Sequence, residues 1–556
     1  MKFIRPARVP LFLLIILYPF MLAGAAAQMS PEAPDAWTVV ASGIEYQKYH
    51  ITNPRPVDIF VTRMDRSNQS VTIDSAIGQG RLSGGTEKVS GMAARYDQNI
   101  NYWARTWGNR NRVVVAINGY FFGSPQEPSG VPWSGVVNSA WYSKRFTTNI
   151  GDAGFAWTLD RQAFIGKCVF HRAERNDISF IGASYDPNID AINITRSDEE
   201  LILYTPQYDA TTKTLENGAT PRAEILIELT RPSLVISDPS YVRGTIKGIY
   251  KNSGSTPIPF DHAVLAAWGN IGSALVSRIN GGDIDVGDEV RITNEITDCV
   301  SDPQHDWTNV YASLGGDYHF LRAGAYYPPS NPDATVRNSR TVVGYSSSYV
   351  FFVVVDGFNA NVSEGITLLS LSDWMEVTLG ATDAVSLDSG TSSTMVVNGE
   401  VKNNTYCTYT RNCGMQNPTG TESQFQSSPP DSGEAVEIST ASDNAYVGSG
   451  LMMVVVEPRA QSARFRSGQS LTALLQTSLR LGPGANYASL LTLNPGAQGI
   501  VITHLLDGVL ATGSYWWKGT FGGSTGWVKE ESMQGGQLPP PPGEVQALFP
   551  LILINP

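Results

Sequence analysis

The pattern that most limits the fold is a short hydrophobic alternation, repeated along the chain and cut at close intervals by glycine and proline. From Ile44 the sequence includes YHITNPRPVDIFVTRMDRSNQSVTIDSAIG, with polar and apolar residues trading places at every second position. A period of two puts successive side chains on opposite faces of a strand. Later apolar runs, at 112–122 (RVVVAINGYFF), before Asp356 (FFVVVD) and at 384–387, are equally short. With 53 Gly and 33 Pro in 556 residues, turns interrupt the chain too often for a helical protein. Strands without regular strand–helix–strand spacing predict antiparallel or mixed sheets. The expected class is therefore α+β, strand-rich with few helices. One short helix is predicted at 87–99. A second is predicted where Leu368, Leu371, Met375 and Leu379 repeat at helical spacing.

Length and composition bound the rest. The chain is long enough for two or three domains, and 42% hydrophobic residues suffice for large cores. A net charge of −12 without a dense Lys/Arg cluster argues against nucleic acid as a partner. Six His without a close pair, and no C-x-x-C, give no metal site; no phosphate loop or dinucleotide fingerprint calls for a cofactor.

The N-terminus reads as an export signal over residues 1–27. Lys2, Arg5 and Arg8 precede an apolar segment at 11–23, and Ala25-Ala26-Ala27 offers a cleavage site. An uncleaved anchor is the alternative. The expected location is secreted or cell envelope, with no transmembrane segment once the signal is removed, and with a leader over 28–44. Four cysteines suit an oxidising compartment. Cys407 and Cys413, six apart in a polar loop, predict a local disulfide, which leaves Cys168 and Cys299 to pair across the fold; three pairings are open. Glycosylation sequons occur at Asn68, Asn193, Asn361 and Asn403.

The stretch with most chemical content is residues 383–399, DAVSLDSGTSSTMVVNG. A short strand ends on Asp388, five small residues follow, and a second strand leaves at Met395 and turns at Asn398-Gly399. Small residues let a backbone approach a ligand and free N–H groups and hydroxyls for an anion or sugar oxygens. An ordinary Asp-Ser-Gly turn is the plain alternative.

This stretch resembles the "LDGGGSSTMVVNG" signature of the phosphodiester glycosidase family, which includes the enzyme that uncovers phosphodiester-linked N-acetylglucosamine. Further segments resemble that family in order: VVVAINGYFF, GFAWTLDRQAFIG, DAINITRSDEELILYTPQYDATT, RNSRTVVGYSSSYVFFVVVDG and SEGITLLSLSDWMEVTLGATDA. Together they cover about residues 45–457, with 414–445 as a surface insertion. Three positions depart from the pattern. Ser389 and Thr391 stand where the family has Gly, and Phe358 follows Asp356-Gly357 where the family has Arg.

The resemblance implies a hydrolase of a glycosyl phosphodiester, and glycosyl transfer to water generally uses two carboxyls. The matched segments supply Asp388 and Glu364 as the expected acid/base pair, with Asp356 as alternative partner. Asn118 and Gly119 are expected to hold the sugar. Arg340, Ser392 and Ser393 are expected on the phosphate. A non-catalytic carbohydrate-binding protein on the same fold is the alternative.

After a linker at 458–470, residues 471–533 resemble bacterial SH3-like domains through Arg480-Leu-Gly-Pro-Gly484, Tyr487, Trp516-Trp517 and Gly526-Trp-Val528. The resemblance implies a small all-β barrel. Its expected partner is a cell-wall or envelope polymer, bound through exposed Tyr487, Trp516 and Trp517. Gly522–Gly526 matches G-x-S-x-G, but a continuing strand excludes a nucleophile elbow. A Pro-rich and apolar tail, 534–556, ends the chain.

Overall fold

The computed structural model describes residues 36–97, 109–123, 130–146, 153–195, 199–218, 220–230, 241–299, 305–357, 362–404, 445–458, 460–504, 507–511 and 513–537. The signal segment, Phe358, Asn361, the Cys407–Cys413 pair, nearly all of the 414–445 insertion and nearly all of the tail lie outside the described residues.

The sequence's alternation is realised as antiparallel sheets. An eight-stranded sheet runs Thr38–Ala41, Ile44–Ile51, Val57–Asp65, Tyr349–Val355, Arg340–Tyr345, Asp383–Ser386, His319–Arg322, Ala325–Tyr326. Its first strand lies inside the stretch read as a leader. Strand Ile44–Ile51 alternates buried and half-buried residues as predicted. Val57–Asp65 does not: its first six residues are all buried. The reason is that this sheet is covered on both faces. Ile59 and Val61 join a core with Leu368, Leu371 and Met375, whereas Phe60 and Met64 join the large central core. Asp58 and Thr62 are therefore buried polar groups on an inner strand.

A second sheet runs Glu400–Val401, Met395–Val397, Asn109–Asn118, Ser449–Glu457, Val71–Ile77. The predicted return of the chain after the insertion is thus a central strand, hydrogen-bonded on both sides. A five-stranded and a seven-stranded sheet complete the main body, and the one parallel pairing among the described strands is Ala191–Ile192 with Leu201–Tyr204. Cys168 and Cys299 form a disulfide.

Helices are few, as expected. Val89–Arg95 falls within the predicted 87–99. Leu368–Trp374 is capped by the Thr367 side chain, which accepts from Ser370 N, and continues as a π-turn over Met375–Leu379. Leu368, Leu371 and Met375 are fully buried, which is the stripe read from the sequence. The longest described helix, Gly269–Gly281, was not anticipated. Its flanking glycines disguised it, although Gly282, at φ 76°, is a left-handed C-terminal stop.

Residues Ser470–Ala473 to Met533–Gly535 form a separate antiparallel eight-stranded sheet with its own apolar core of Leu471, Leu479, Trp517 and Val528. Gly522 and Gly523, both at positive φ, turn Ser514–Phe521 into Ser524–Lys529, so the G-x-S-x-G match is a hairpin. Two of the three aromatic residues expected on its surface are not there, and the third, Tyr487, is half-buried. Trp516 and Trp517 are 2% and 3% exposed. Tyr487 and Trp516 pack with Trp527 around Phe260, a residue of the main body. Apolar rings of this size are buried wherever a core or an adjoining domain offers contact, and both are available here.

Candidate active site

Three strands of the eight-stranded sheet end together with the second sheet's Asn109–Asn118. Asp356 follows strand Tyr349–Val355, Asp388 follows Asp383–Ser386 by two residues, and Arg340 begins the strand between them. The small-residue loop 389–394 joins the two sheets, since Met395 opens the strand paired with Asn109–Asn118.

Asp388 is 7% exposed. Its carboxylate accepts from Ser389 N (2.8 Å) and from the Ser392 hydroxyl. Burial nevertheless pushes its pKa up to about 7, and the negative charge of Asp317 adds to the rise. Asp317 is tied to the same place by its own N–H, which donates to Ser386 O.

Asp356 is 1% exposed. It accepts from Asn403 Nδ2 (3.1 Å) and from Asn404 N (3.0 Å). Burial again pushes the carboxyl up to about 7, against these two donors, with Asp58 raising it further and Lys48 lowering it. Asn403 joins the two carboxylates' surroundings. Its Nδ2 also reaches Ser393 O (2.8 Å), and its Oδ1 accepts from Met395 N (2.7 Å).

The remaining sequence-derived residues have different places. Glu364 is bound to Arg55 at 2.6 Å in an exposed ion pair. Asn118 is fully buried, and its side chain is saturated. Oδ1 accepts from Thr341 Oγ1 (2.7 Å) and Thr394 N (3.0 Å), while Nδ2 donates to Asp388 O (3.0 Å) and Gly119 O (3.3 Å). With two lone pairs and two N–H groups occupied, no capacity remains for a sugar. Gly119 donates to Ser449 O and accepts from Asp388 N. A side chain there would meet Ser449 Oγ at 2.3 Å, so the glycine serves a close approach between strands. Arg340 is 3% exposed, and its guanidinium donates to the carbonyls of Ile366, Asp333 and Val336. These three residues are therefore fastenings of the site. Ser392 gives its hydroxyl to Asp388, and Ser393 Oγ is buried with no partner among the described residues.

The Ser389 departure has a local explanation. Its φ is −117°, an extended backbone open to any residue, whereas Gly390 at φ 72° is the position that needs glycine.

Two site residues escaped the sequence reading. Asn403 looked like a glycosylation sequon; its side chain is enclosed, as is that of Asn193, which donates to Ser143 O and Thr205 Oγ1. Arg337, three residues before Arg340, precedes Asn338 and Ser339, whose backbone lies beside Gly357. Its neighbour Ser339 donates to Gly390 O (2.7 Å). Arg337 Nε is buried with no partner among the described residues, and Glu364 and Arg55 are its charged neighbours. The repeat R-N-S-R was the available signal. Among the described residues no group of three or more His, Cys, Asp or Glu is arranged to hold a metal ion.

A family model described as phosphodiester glycosidase matches residues 269–416, a little over a quarter of the chain, which includes Arg337, Asp356, Asp388 and Asn403. No curated protein matches the sequence. Among solved structures, a hypothetical protein from Synechocystis is similar at 15% identity and TM-score 0.46, over 77% of this chain and 64% of that one. A protein described as exported, from Burkholderia pseudomallei, is similar at 16% identity and TM-score 0.43, over 72% and 74%. The zebrafish N-acetylglucosamine-1-phosphodiester alpha-N-acetylglucosaminidase catalytic domain, auto-inhibited by its pro-peptide, is similar at 12% identity and TM-score 0.35, over 76% and 85%.

Proposed function

We propose that the main body is a hydrolase that cleaves the anomeric bond of a glycosyl-1-phosphodiester, with an N-acetylglucosamine-type sugar, in an envelope or exopolysaccharide polymer. The observation that carries this is a pair of buried strand-end aspartates, Asp356 and Asp388, both raised to about 7, on either side of one small-residue loop. The family match over 269–416 supports the same chemistry. The basic–apolar N-terminus and the Cys168–Cys299 disulfide support an exported setting.

In this reading Asp356 replaces Glu364 as the partner of Asp388. Burial raises both carboxyls well above the usual carboxylate range, so one can hold a proton as acid while the other serves as base or nucleophile. Positive charge developing at the anomeric carbon is stabilised by the ionised member of the pair. A phosphodiester leaving group is already a weak base, so help from the acid matters less than in an ordinary glycoside. Arg337, with its unpartnered N–H, is the cation best suited to the phosphate, together with the loop 389–394.

The test is release of free sugar from a panel of sugar-1-phosphodiesters. Asp388→Asn and Asp356→Asn should each lower kcat by roughly 10²–10⁴-fold, and Glu364→Gln by less than about tenfold. Undiminished turnover in both Asn variants would overturn the site. No turnover by the wild type across the panel leaves the non-catalytic carbohydrate-binding reading.

A further inference from the structure

A cavity of about 120 Å³ lies between the main body and the C-terminal unit, and neither Asp356 nor Asp388 is among its lining residues. The end of helix Val89–Arg95 and the following Tyr96 and Asp97 form one wall. Asn138, Trp141 and Gln207 also line it. Asn486 and Tyr487 of the C-terminal unit close it. The C-terminal unit is fixed there by Phe260, whose ring lies 6.1 Å from that of Tyr487 and 5.5 Å from that of Trp527.

The lining selects a ligand class. Its aromatic residues, Tyr96, Trp141, Phe260 and Tyr487, offer apolar ring surface. Its amides offer complementary groups to vicinal hydroxyls: Asn138 Nδ2 donates to Ser75 O and its Oδ1 is an acceptor, Gln207 Oε1 accepts from Thr205 Oγ1 and its Nε2 is a donor, and Asn486 carries both. The charge excludes an anion. Arg95 is paired with Glu87 at 2.9 Å, Asp97 is acidic, and buried Asp74 holds the Tyr96 hydroxyl at 2.6 Å behind the wall. Burial, with the negative charge of Asp97 and Asp261, raises the Tyr487 hydroxyl's pKa and keeps it protonated as a donor. The volume admits on the order of ten water-sized groups, about the size of one hexose.

We propose that this cavity is a second carbohydrate subsite, taking one neutral sugar unit between the two parts of the chain. It rests on the proposed hydrolase reading only in making that sugar part of the same polymer. The test is calorimetric titration of the full mature protein with two neutral probes, triacetylchitotriose and isomaltotriose. The wild type is compared with Tyr487→Phe and Asn486→Ala, which keep the ring and alter an exposed loop residue. The expected result is at least a fivefold weaker Kd for one probe in both variants. kcat/KM on a short aryl sugar-1-phosphodiester should stay within twofold. Equal affinity in wild type and variants, or no binding of either probe to the wild type, would overturn the subsite. Loss of binding in the variants without any phosphodiester turnover by the wild type would instead retain the subsite and remove the hydrolase.

Discussion

Asp356 and Asp388 both receive hydrogen bonds that favour the charged carboxylate, and both still sit near 7 because desolvation outweighs those donors. That balance has a consequence for stability. Each carboxyl binds its proton more tightly in the folded chain than at its ordinary 3.8. Their contribution is therefore fully present below about pH 4 and is lost as pH rises through about 7. Asp388→Asn removes one such group, so the variant should gain on the wild type as pH rises from 5 to 8, by about 2–3 kcal/mol. Urea unfolding at the two pH values checks this; a constant difference would mean that Asp388 is ionised throughout. Catalysis should fall on both sides of neutrality, because one member of the pair must hold a proton and the other must not.

At the scale of elements, the loop 388–395 is held from two sides by amide side chains. Asn118 fastens its start and end through Asp388 O and Thr394 N, and Asn403 fastens Ser393 O and Met395 N to Asp356. Asn118→Ala leaves several buried partners unmatched and should destabilise the protein by about 2–4 kcal/mol, measured by urea unfolding. Arg340→Ala should act likewise, by freeing the carbonyls of Asp333, Val336 and Ile366. Its KM for a phosphodiester should move by less than about threefold; a large rise in KM at unchanged stability would return Arg340 to the phosphate. Arg337→Ala should show the opposite split, with KM raised and stability little changed.

Across the whole molecule, the C-terminal unit is bound to the main body by more than a linker. Phe260, 2% exposed, fills an aromatic recess of that unit, and its N–H donates to Leu481 O. Beside it, buried Asp261 accepts from His262 (2.6 Å), His504 (3.1 Å) and Lys518 (3.1 Å). Burial works against its ionisation, yet these donors hold its carboxyl well below the usual range. Phe260→Ala should therefore cost about 3–5 kcal/mol of stability, and removal of residues 458–556 should lower the melting temperature of the main body by several degrees. Thermal unfolding of both proteins checks this. An unchanged melting temperature after truncation would make the unit an independent tether.

The sequence by itself determined the strand-rich class, the stripe of the Leu368–Trp374 helix, the hairpin at Asn398-Gly399 and the position of Asp356 and Asp388 at strand ends. These follow from local periodicity and turn chemistry, which a chain carries along its length. Ser389 and Gly390 were legible as a small-residue turn, but only backbone φ separated the tolerant position from the obligatory one. Tertiary structure alone decided what each polar side chain faces. Asn118 and Arg340 looked like ligand groups because amides and guanidinium groups suit sugars and phosphates; packing of two sheets turned them inward onto backbone carbonyls and loop amides. Asn403, marked in the sequence only by its sequon, became the tie between carboxylate and loop, and Trp516 and Trp517 became interior. A residue's chemistry is local, but its exposure and its partners come from strands brought together across hundreds of residues.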